Sequence, residues 1–257
     1  MTPKNPDGLR RLESVVKTLD IIEALWRMEG AGVTELTRTM GLPKSTVHAH
    51  LSTLRSKGYV VQDGDTYRIS LRFLSFGEHV KRTEPLYEAA KEPVANLAHR
   101  TGERILCSTH QNGLGTVLLL EEGESSVSTD IRVGTHTYLH CSAAGKAMLA
   151  HFPAEAVERV IESWGLSEFT EQTITDREQL ISELETVREA GIAHNRSEYL
   201  PGVRAIGAPI LRDDGTVAGA IALTGAERRL ENEWDEADLR NQLLATANTI
   251  EVNLMFS

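Results

Sequence analysis

The segment GLPKSTVHAHLSTLRSKGYV limits the fold of its part of the chain more than any other stretch, because it holds one helix end and the next helix. Gly41 is typical of a helix C-terminus, where glycine adopts the left-handed conformation at low cost. Pro43 suits the first position of the following helix, where its missing N–H would have no partner. The turn between the helices then has about 3–4 residues, as in helix-turn-helix motifs. The residues that face the core are Val47, Leu51 and Leu54.

The flanking residues complete a small domain. A second short helix begins near Thr34, the predicted N-cap, with Leu36 and Met40 facing inward. Two β-rich runs flank Asp63–Gly64, which is a strong hairpin turn signal. Three helices and a hairpin predict a winged helix-turn-helix, and a helical domain with an incidental hairpin is the alternative. The apolar stripe of the first helix consists of Val15, Leu19, Ile22 and Trp26.

Charge is divided unequally along the chain. Residues 1–72 contain 11 Lys and Arg against 8 Asp and Glu, a net charge of +3. Residues 73–257 contain 16 against 29, a net charge of -13, so that the whole chain carries -10. A mildly basic N-terminal part followed by an acidic part predicts two modules, of which the N-terminal one faces a polyanion.

The outward face of the third helix has the composition of a DNA-reading surface. Small side chains let a helix enter the major groove, about 12 Å wide, and hydroxyl and imidazole groups can bond base edges. Asp63 and Asp65 at the hairpin tip repel phosphate, so we expect the wing to contribute little to DNA binding. Arg10 and Arg11 either reach a minor groove or belong to a basic tail. The predicted contacts to double-stranded operator DNA are Thr34, Lys44, Ser45, Thr46, His48, Ala49, Ser52, Arg55, Tyr67 and Arg68.

The rest of the chain predicts an α+β fold with an antiparallel sheet and packed helices. The domain boundaries that we expect are 12–73 for the winged helix-turn-helix, 74–84 for a linker helix and 85–257 for the second domain. The strands are expected near 105–109, 116–121, 127–133, 192–196, 204–211 and 217–223. The helices are expected near 71–83, 86–100, 144–151, 155–164, 176–190 and 236–255.

Histidines and a cysteine in the second half raise the question of catalysis. His136, His140 and Cys141 lie close together, yet no further ligand pair follows at metal spacing, and neighbours on an extended segment point to opposite faces. We therefore predict no metal site. The alternative function is a cytoplasmic hydrolase-type enzyme with an accessory helical domain. A Cys141 nucleophile with His110, His136 or His194 as base is a separate and less favoured interpretation.

Two basic residues allow both a functional and a structural interpretation. Lys146 follows a glycine, but the G-x-x-x-x-G-K-[ST] spacing of a phosphate loop is absent, so we expect it near a ligand or an acidic partner. Arg204 could clamp a carboxylate, and an ion pair with Glu198 or another acid is the favoured alternative.

Location follows from what the sequence lacks. No apolar run approaches the roughly 20 residues of a membrane span, and the segment MTPKNPDGLRRLES has no apolar signal stretch. Two cysteines, Cys107 and Cys141, exclude a disulfide framework and a four-cysteine zinc site. We expect a cytoplasmic protein with no membrane contact.

Four stretches together resemble the IclR family of transcription regulators. They are GLPKSTVHAHLSTLRSKGYV, YLHCSAAGKAMLAHFP, REAGIAHNRSEYLPGVRAIGAPI and VAGAIALTGAERRL. The resemblance implies a winged helix-turn-helix, a linker helix and a GAF-like effector-binding domain, without catalytic activity or cofactor. It implies homodimers or tetramers on an operator and a small effector, sugar-derived or an organic acid. The acidic chain, with only 7 lysines, resembles members from salt-loving archaea.

The resemblance also implies a pocket between the sheet and the loop that runs into the helix near Ala144. The matching positions are Ala143, Ala144, Asn195, Ala205, Ala222 and Thr224, with Ser126 and Thr129 as weaker matches on an earlier strand. Members that bind a small keto acid often carry aspartate, cysteine and serine where this chain has Asn195, Ala205 and Ala222. A larger or more apolar effector is therefore expected.

Overall fold

The structure is a computed structural model that describes residues 12–232 and 236–256. These residues form two compact units, one that ends at Thr83 and one that begins at Glu84. No helix among the described residues has both the length and the apolar character needed to cross a bilayer.

The first unit is a three-helix core with a small antiparallel sheet of strand order β1-β3-β2. Val47, Leu51 and Leu54 of the third helix are buried, as the spacing predicted, and they pack with Leu36 of the second. The elements of this unit are α1 (Glu13–Arg27), β1 (Ala31–Gly32), α2 (Val33–Met40), α3 (Lys44–Ser56), β2 (Val60–Asp63), β3 (Thr66–Ile69) and α4 (Arg72–Thr83).

The face that α1 buries differs from its most regular apolar stripe. Val15, Leu19 and Trp26 are 50%, 55% and 61% exposed. The core instead takes Ile21 and Leu25, together with Ala24. The reason is that α1 is apolar over more than one face, and contacts with the rest of the unit select which face is buried.

Helix boundaries in this unit depend on the backbone around them. Gly41 ends α2 in the left-handed conformation, with φ 64°, as predicted. Pro43 is the N-cap of α3 rather than its first residue. Thr34 is likewise not an N-cap, because β1 pairs with β3 as far as Gly32, which caps α2 directly.

The second unit is built on a six-stranded antiparallel sheet of order β6-β5-β4-β9-β8-β7. This arrangement, with the winged helix-turn-helix before it, confirms the α+β prediction. Its helices are α5 (Pro85–Thr101), α6 (Ala143–Leu149), α7 (Ala154–Trp164), α8 (Arg177–Ala190), α9 (Glu227–Asn232) and α10 (Glu236–Met255). Its strands are β4 (Arg104–Gln111), β5 (Leu114–Glu121), β6 (His136–Tyr138), β7 (Ala193–Arg196), β8 (Val203–Leu211) and β9 (Val217–Ala226).

Both faces of this sheet are covered. Along β9, Ile221 and Leu223 pack in the cluster with α5 and α10, whereas Ala220 and Ala222 pack in the cluster with α6 and α8. Such alternation follows from the two-residue period of a strand. The helices α5 and α10 therefore cover one face, and α6 lies on the other.

The strand expected at 127–133 is absent, and that prediction is wrong. Residues 127–133 form a loop, and β5 pairs instead with the short strand β6. Arginine side chains bind the loop carbonyls: Arg132 Nη1 donates to Thr129 O (2.5 Å) and Arg104 Nη2 to Ile131 O (3.1 Å). These donors satisfy two of the loop carbonyls that a partner strand would otherwise bind.

Candidate DNA-reading helix and ligand pocket

The outward face of α3 carries only neutral and basic side chains. Its 13 residues include no aspartate or glutamate. Lys44, Ser45, His48, Ala49 and Arg55 are exposed, and Thr46 and Ser52 are half-buried. A small, polar, uncharged-to-basic helix face suits entry into a major groove.

Of the two DNA contacts predicted on the wing, one is buried and one is exposed. Tyr67 is only 6% exposed and belongs to the core of the unit, so the prediction that its ring reaches DNA does not fit. Its neighbour Arg68 points the other way and is exposed. Arg55 Nη1 donates to Gln62 Oε1 on β2, which ties the end of α3 to the wing. Thr34 is exposed in the first turn of α2, while Arg10 and Arg11 lie outside the described residues.

In the second unit, a cavity of about 60 Å³ lies between the sheet and the start of α6. It is lined by strands β4, β5, β8 and β9, by the loop at 129–131 and by the segment 199–203. Ser126, the other weak match, is not part of this lining. The predicted pocket residues that line it together are Thr129, Ala143, Ala144, Asn195, Ala205, Ala222 and Thr224.

A close approach of two backbones places α6 against this cavity. A Cβ at Gly207 of β8 would lie 2.6 Å from the carbonyl carbon and oxygen of Ala143, so only glycine allows this contact. The helix start is fixed by Ser142, whose Oγ accepts from the Gly145 backbone N–H (3.1 Å). Gly207 was not singled out from the sequence, because a glycine inside a strand does not by itself say what lies above it.

The polar groups of the pocket differ in how far the protein already satisfies them. Asn195 is engaged at both ends: its Nδ2 donates to Cys141 O (2.7 Å), and its Oδ1 accepts from Glu198 N (3.0 Å). The side-chain hydroxyls of Ser108, Thr137 and Thr224, which also line the cavity, have no hydrogen-bond partner within 12–232 and 236–256. Asn195 therefore holds the wall together, and the three hydroxyls are available to a ligand.

A buried ion cluster lies behind the pocket wall. Lys146 is 1% exposed, and its Nζ donates to Glu183 Oε1 (2.9 Å) and Glu198 Oε1 (2.8 Å). This confirms the acidic partner expected for Lys146. Arg204 pairs through Nε with Glu227 Oε1 (2.9 Å), so its partner is another acid than Glu198.

The geometry does not favour a thiol nucleophile. Burial raises the pKa of Cys141 to about 12, so its thiolate is scarce at neutral pH. His140 Nε2 pairs with Ser167 O (3.0 Å), and His136 Nδ1 pairs with Thr116 Oγ1 (3.0 Å). Within the described part of the chain, no three His, Cys, Asp or Glu side chains are grouped so as to hold a metal ion.

Two family models match the chain. The model described as the IclR helix-turn-helix domain matches residues 14–64, and the one described as bacterial transcriptional regulator IclR C-terminal matches residues 79–252. The match supports both modules inferred from the sequence.

Single proteins agree with the family models. The protein named probable HTH-type transcriptional regulator ArcR, from Halobacterium salinarum, is 34% identical over 95% of each chain. The crystal structure of IclR from Thermotoga maritima is similar in fold, with TM-score 0.78, 23% identity and coverage of 95% of this chain and 99% of that one. An IclR homologue from Microbacterium hydrocarbonoxydans, crystallised with 4-hydroxybenzoate, has TM-score 0.80 and 21% identity over 95% and 98%. None of these is described as an enzyme.

Proposed function

This chain belongs to the IclR family of DNA-binding transcription regulators, and we propose that a small organic effector bound in the α6 cavity controls its affinity for one operator. The observation that carries the proposal is the convergence of seven residues, distant in sequence, on one cavity. The hydrolase alternative has no support from the buried Cys141 or from the relatives. We further propose that the regulated genes form a catabolic operon, and that the protein acts in the cytoplasm, where its operator is.

The DNA part of the proposal rests on the exposed face of α3. Ser45 and His48 lie one helical turn apart and are exposed, and they would contact base edges. Lys44 at the start of the helix and Arg68 on the wing would contact phosphates, which fix register rather than sequence.

The effector part rests on the shape and chemistry of the cavity. Its volume of about 60 Å³ is below the roughly 150 Å³ of an engineered apolar cavity that binds benzene. A ligand with a ring or several carbons therefore needs the wall formed by Tyr199, Leu200 and Val203 to move outward. The 4-hydroxybenzoate bound by the Microbacterium homologue makes aromatic acids, along with sugar acids, the first compounds to test.

Filling the cavity tests its role directly. We expect Ala143→Leu or Ala222→Leu to abolish the effector's influence on operator binding, while binding without effector persists. Both alanines are 2% exposed and line the cavity, so the added carbons take the ligand's space, at an overpacking cost of about 1–3 kcal/mol. Fluorescence anisotropy of labelled operator, with and without effector, measures the response.

A matched substitution separates blocking from general disturbance. Ala245→Leu adds the same carbons at an exposed position of α10 and should leave the response unchanged. If the leucine variants at 143 and 222 respond at the wild-type effector concentration, the effector site is elsewhere.

We also propose that the chain forms homodimers through the first unit. Apart from Val61 on β2, the large apolar residues that the structure shows exposed there lie at α1 and around α4, and exposed apolar residues in such number mark an interaction surface. Helix-turn-helix dimers read two half-sites about one helical turn apart. The exposed residues are Leu12, Val15, Leu19, Trp26, Leu71, Leu74, Phe76 and Val80.

Light scattering at micromolar concentration is expected to give the mass of two or four chains. Leu74→Glu, which puts a charge into this surface, should shift the population toward monomer. The control Val61→Glu on the wing should not, although Val61 is exposed as well (50%, against 65% for Leu74). A wild-type monomer under these conditions contradicts the dimer.

A further inference from the structure

One cationic side chain is buried at the edge of the effector cavity without being part of its lining. Arg104 begins β4 and is 1% exposed. Arg104 lies two residues before Leu106 on the same strand, and Leu106 lines the cavity. The cross-strand partner of Arg104 on β9 is Thr224, which also lines the cavity. Because alternate residues share a face, Arg104 lies on the cavity side of the sheet.

The compensation of this charge is incomplete. Arg104 Nη2 donates to Glu122 Oε1 (2.9 Å) and to Ile131 O (3.1 Å). Glu122 is 56% exposed, so its carboxylate is shared with water. The Nε of Arg104 is buried and has no hydrogen-bond partner among the described residues. Burial lowers the pKa of Arg104, Glu122 opposes that effect, and the nearby Arg132 adds to it.

Thr129 connects this guanidinium to the cavity. Its Oγ1 accepts from Arg104 Nη1 and also from the backbone N–H of Ile131 (3.3 Å). A hydroxyl has two acceptor lone pairs and one proton, so both lone pairs of Thr129 are used and only its proton remains. Thr129 lines the cavity, and within the described ranges this proton has no acceptor.

Thr129 therefore presents a donor, whereas the other free hydroxyls of the cavity can donate or accept. The bond from a cation strengthens the donor, because chained hydrogen bonds polarise one another at low dielectric. The residues of the lining itself include neither a basic nor an acidic side chain. Such a donor favours a ligand group that only accepts hydrogen bonds, and it favours an anionic acceptor most of all.

We propose that Thr129 is the residue that recognises a carboxylate of the effector, and that Arg104 is its positioning residue. The inference rests on the proposed function, since it assumes that the cavity holds the effector. The effector would then carry a carboxylate that lies near the start of β4. An amide of the same shape is expected to bind less tightly.

Matched acid and amide pairs test this on the full chain. The probes are 4-hydroxybenzoate with 4-hydroxybenzamide, gluconate with gluconamide, and pyruvate with pyruvamide, with dissociation constants measured by calorimetry at neutral pH. For at least one pair we expect the acid to bind about tenfold or more tightly than the amide, because hydrogen bonds to charged groups exceed neutral ones by that much.

Variants locate the source of the preference. Thr129→Val should reduce the acid-to-amide ratio to near one, and Thr129→Ser should keep it. Thr129→Ala repeats the test without crowding the wall. Arg104→Lys should lower the ratio in part, because an ammonium lacks the planar fork that serves Thr129, Glu122 and Ile131 together. Thr224→Val is the matched control, since its hydroxyl has no charged partner among the described residues, and it should weaken the binding of acid and amide equally.

Three results would overturn the inference, and they differ in what they imply for the effector cavity. An acid preference that survives in both Thr129→Val and Thr129→Ala overturns the inference. Equal affinities for acid and amide, with both ligands excluded by Ala222→Leu, also overturn it. That result would still support the cavity as the effector site. If no member of any pair binds, the inference falls together with the proposed effector site.

Discussion

Lys146→Met is expected to destabilise the second unit by about 3–5 kcal/mol, the usual cost of removing one partner from a buried ion pair. Lys146 is 1% exposed and neutralises Glu198, which is itself 6% exposed on its side chain. The second oxygen of Glu198 has no hydrogen-bond partner in the described part of the chain, so the carboxylate would lose its main compensation. Hydrogen exchange of the most protected amides of β8 and β9 measures the loss within this unit.

Two further variants test whether the buried charge is the cause. Lys91→Met removes the same charge at an exposed position of α5 and should change stability by no more than about 0.5 kcal/mol. Adding Glu198→Gln to Lys146→Met should recover part of the loss, because an amide is less costly to bury than a carboxylate. A loss below about 1 kcal/mol in Lys146→Met would mean that water reaches the cluster.

The second large effect concerns DNA. Ser45→Ala combined with His48→Ala is expected to weaken specific operator binding by about 2–6 kcal/mol, from about 1–3 kcal/mol for each lost base contact. The thermal midpoint should barely change, because both side chains are exposed on α3. Anisotropy titrations against operator and against unrelated DNA give the specific part of the affinity.

The control removes the same two side-chain types elsewhere. Ser182→Ala with His99→Ala affects exposed positions of the second unit and should leave operator affinity unchanged. If the α3 double variant binds operator as tightly as the wild type does, this face does not read bases.

The helix-turn-helix could be predicted from residues alone because its signals are local. Gly41 and Pro43 fix the turn, and Val47, Leu51 and Leu54 recur at the helical period. By contrast, the buried face of α1 and the inward side of Tyr67 depend on partners. Tyr67 pairs with Gln62 and Ala31, and that register decides which face of β3 it occupies.

The pocket residues could be assigned only through the family resemblance. Asn195 and Ala205 lie far along the chain from Thr129, and no local pattern brings them together. The loop at 127–133 has β-rich composition but no partner strand, and Arg104, about 25 residues earlier, donates to Thr129 Oγ1 and to Ile131 O within it. The partners of Lys146 are likewise 37 and 52 residues away. Long-range charge pairs of this kind leave no periodic signal in a sequence.

We propose that this chain binds one DNA sequence in preference to others and that a ligand of its second unit changes that preference. The most direct measurement is a gel-shift titration of the full chain against the promoter region beside its own gene, in excess unrelated DNA, with and without an effector identified by thermal shift. We expect the promoter fragment to be retarded even in the presence of excess unrelated DNA. We also expect the effector to change the protein concentration at the midpoint of the titration, and Ala222→Leu to abolish this change. Equal retardation of promoter and unrelated fragments, unaffected by any ligand that stabilises the protein, would contradict the claim.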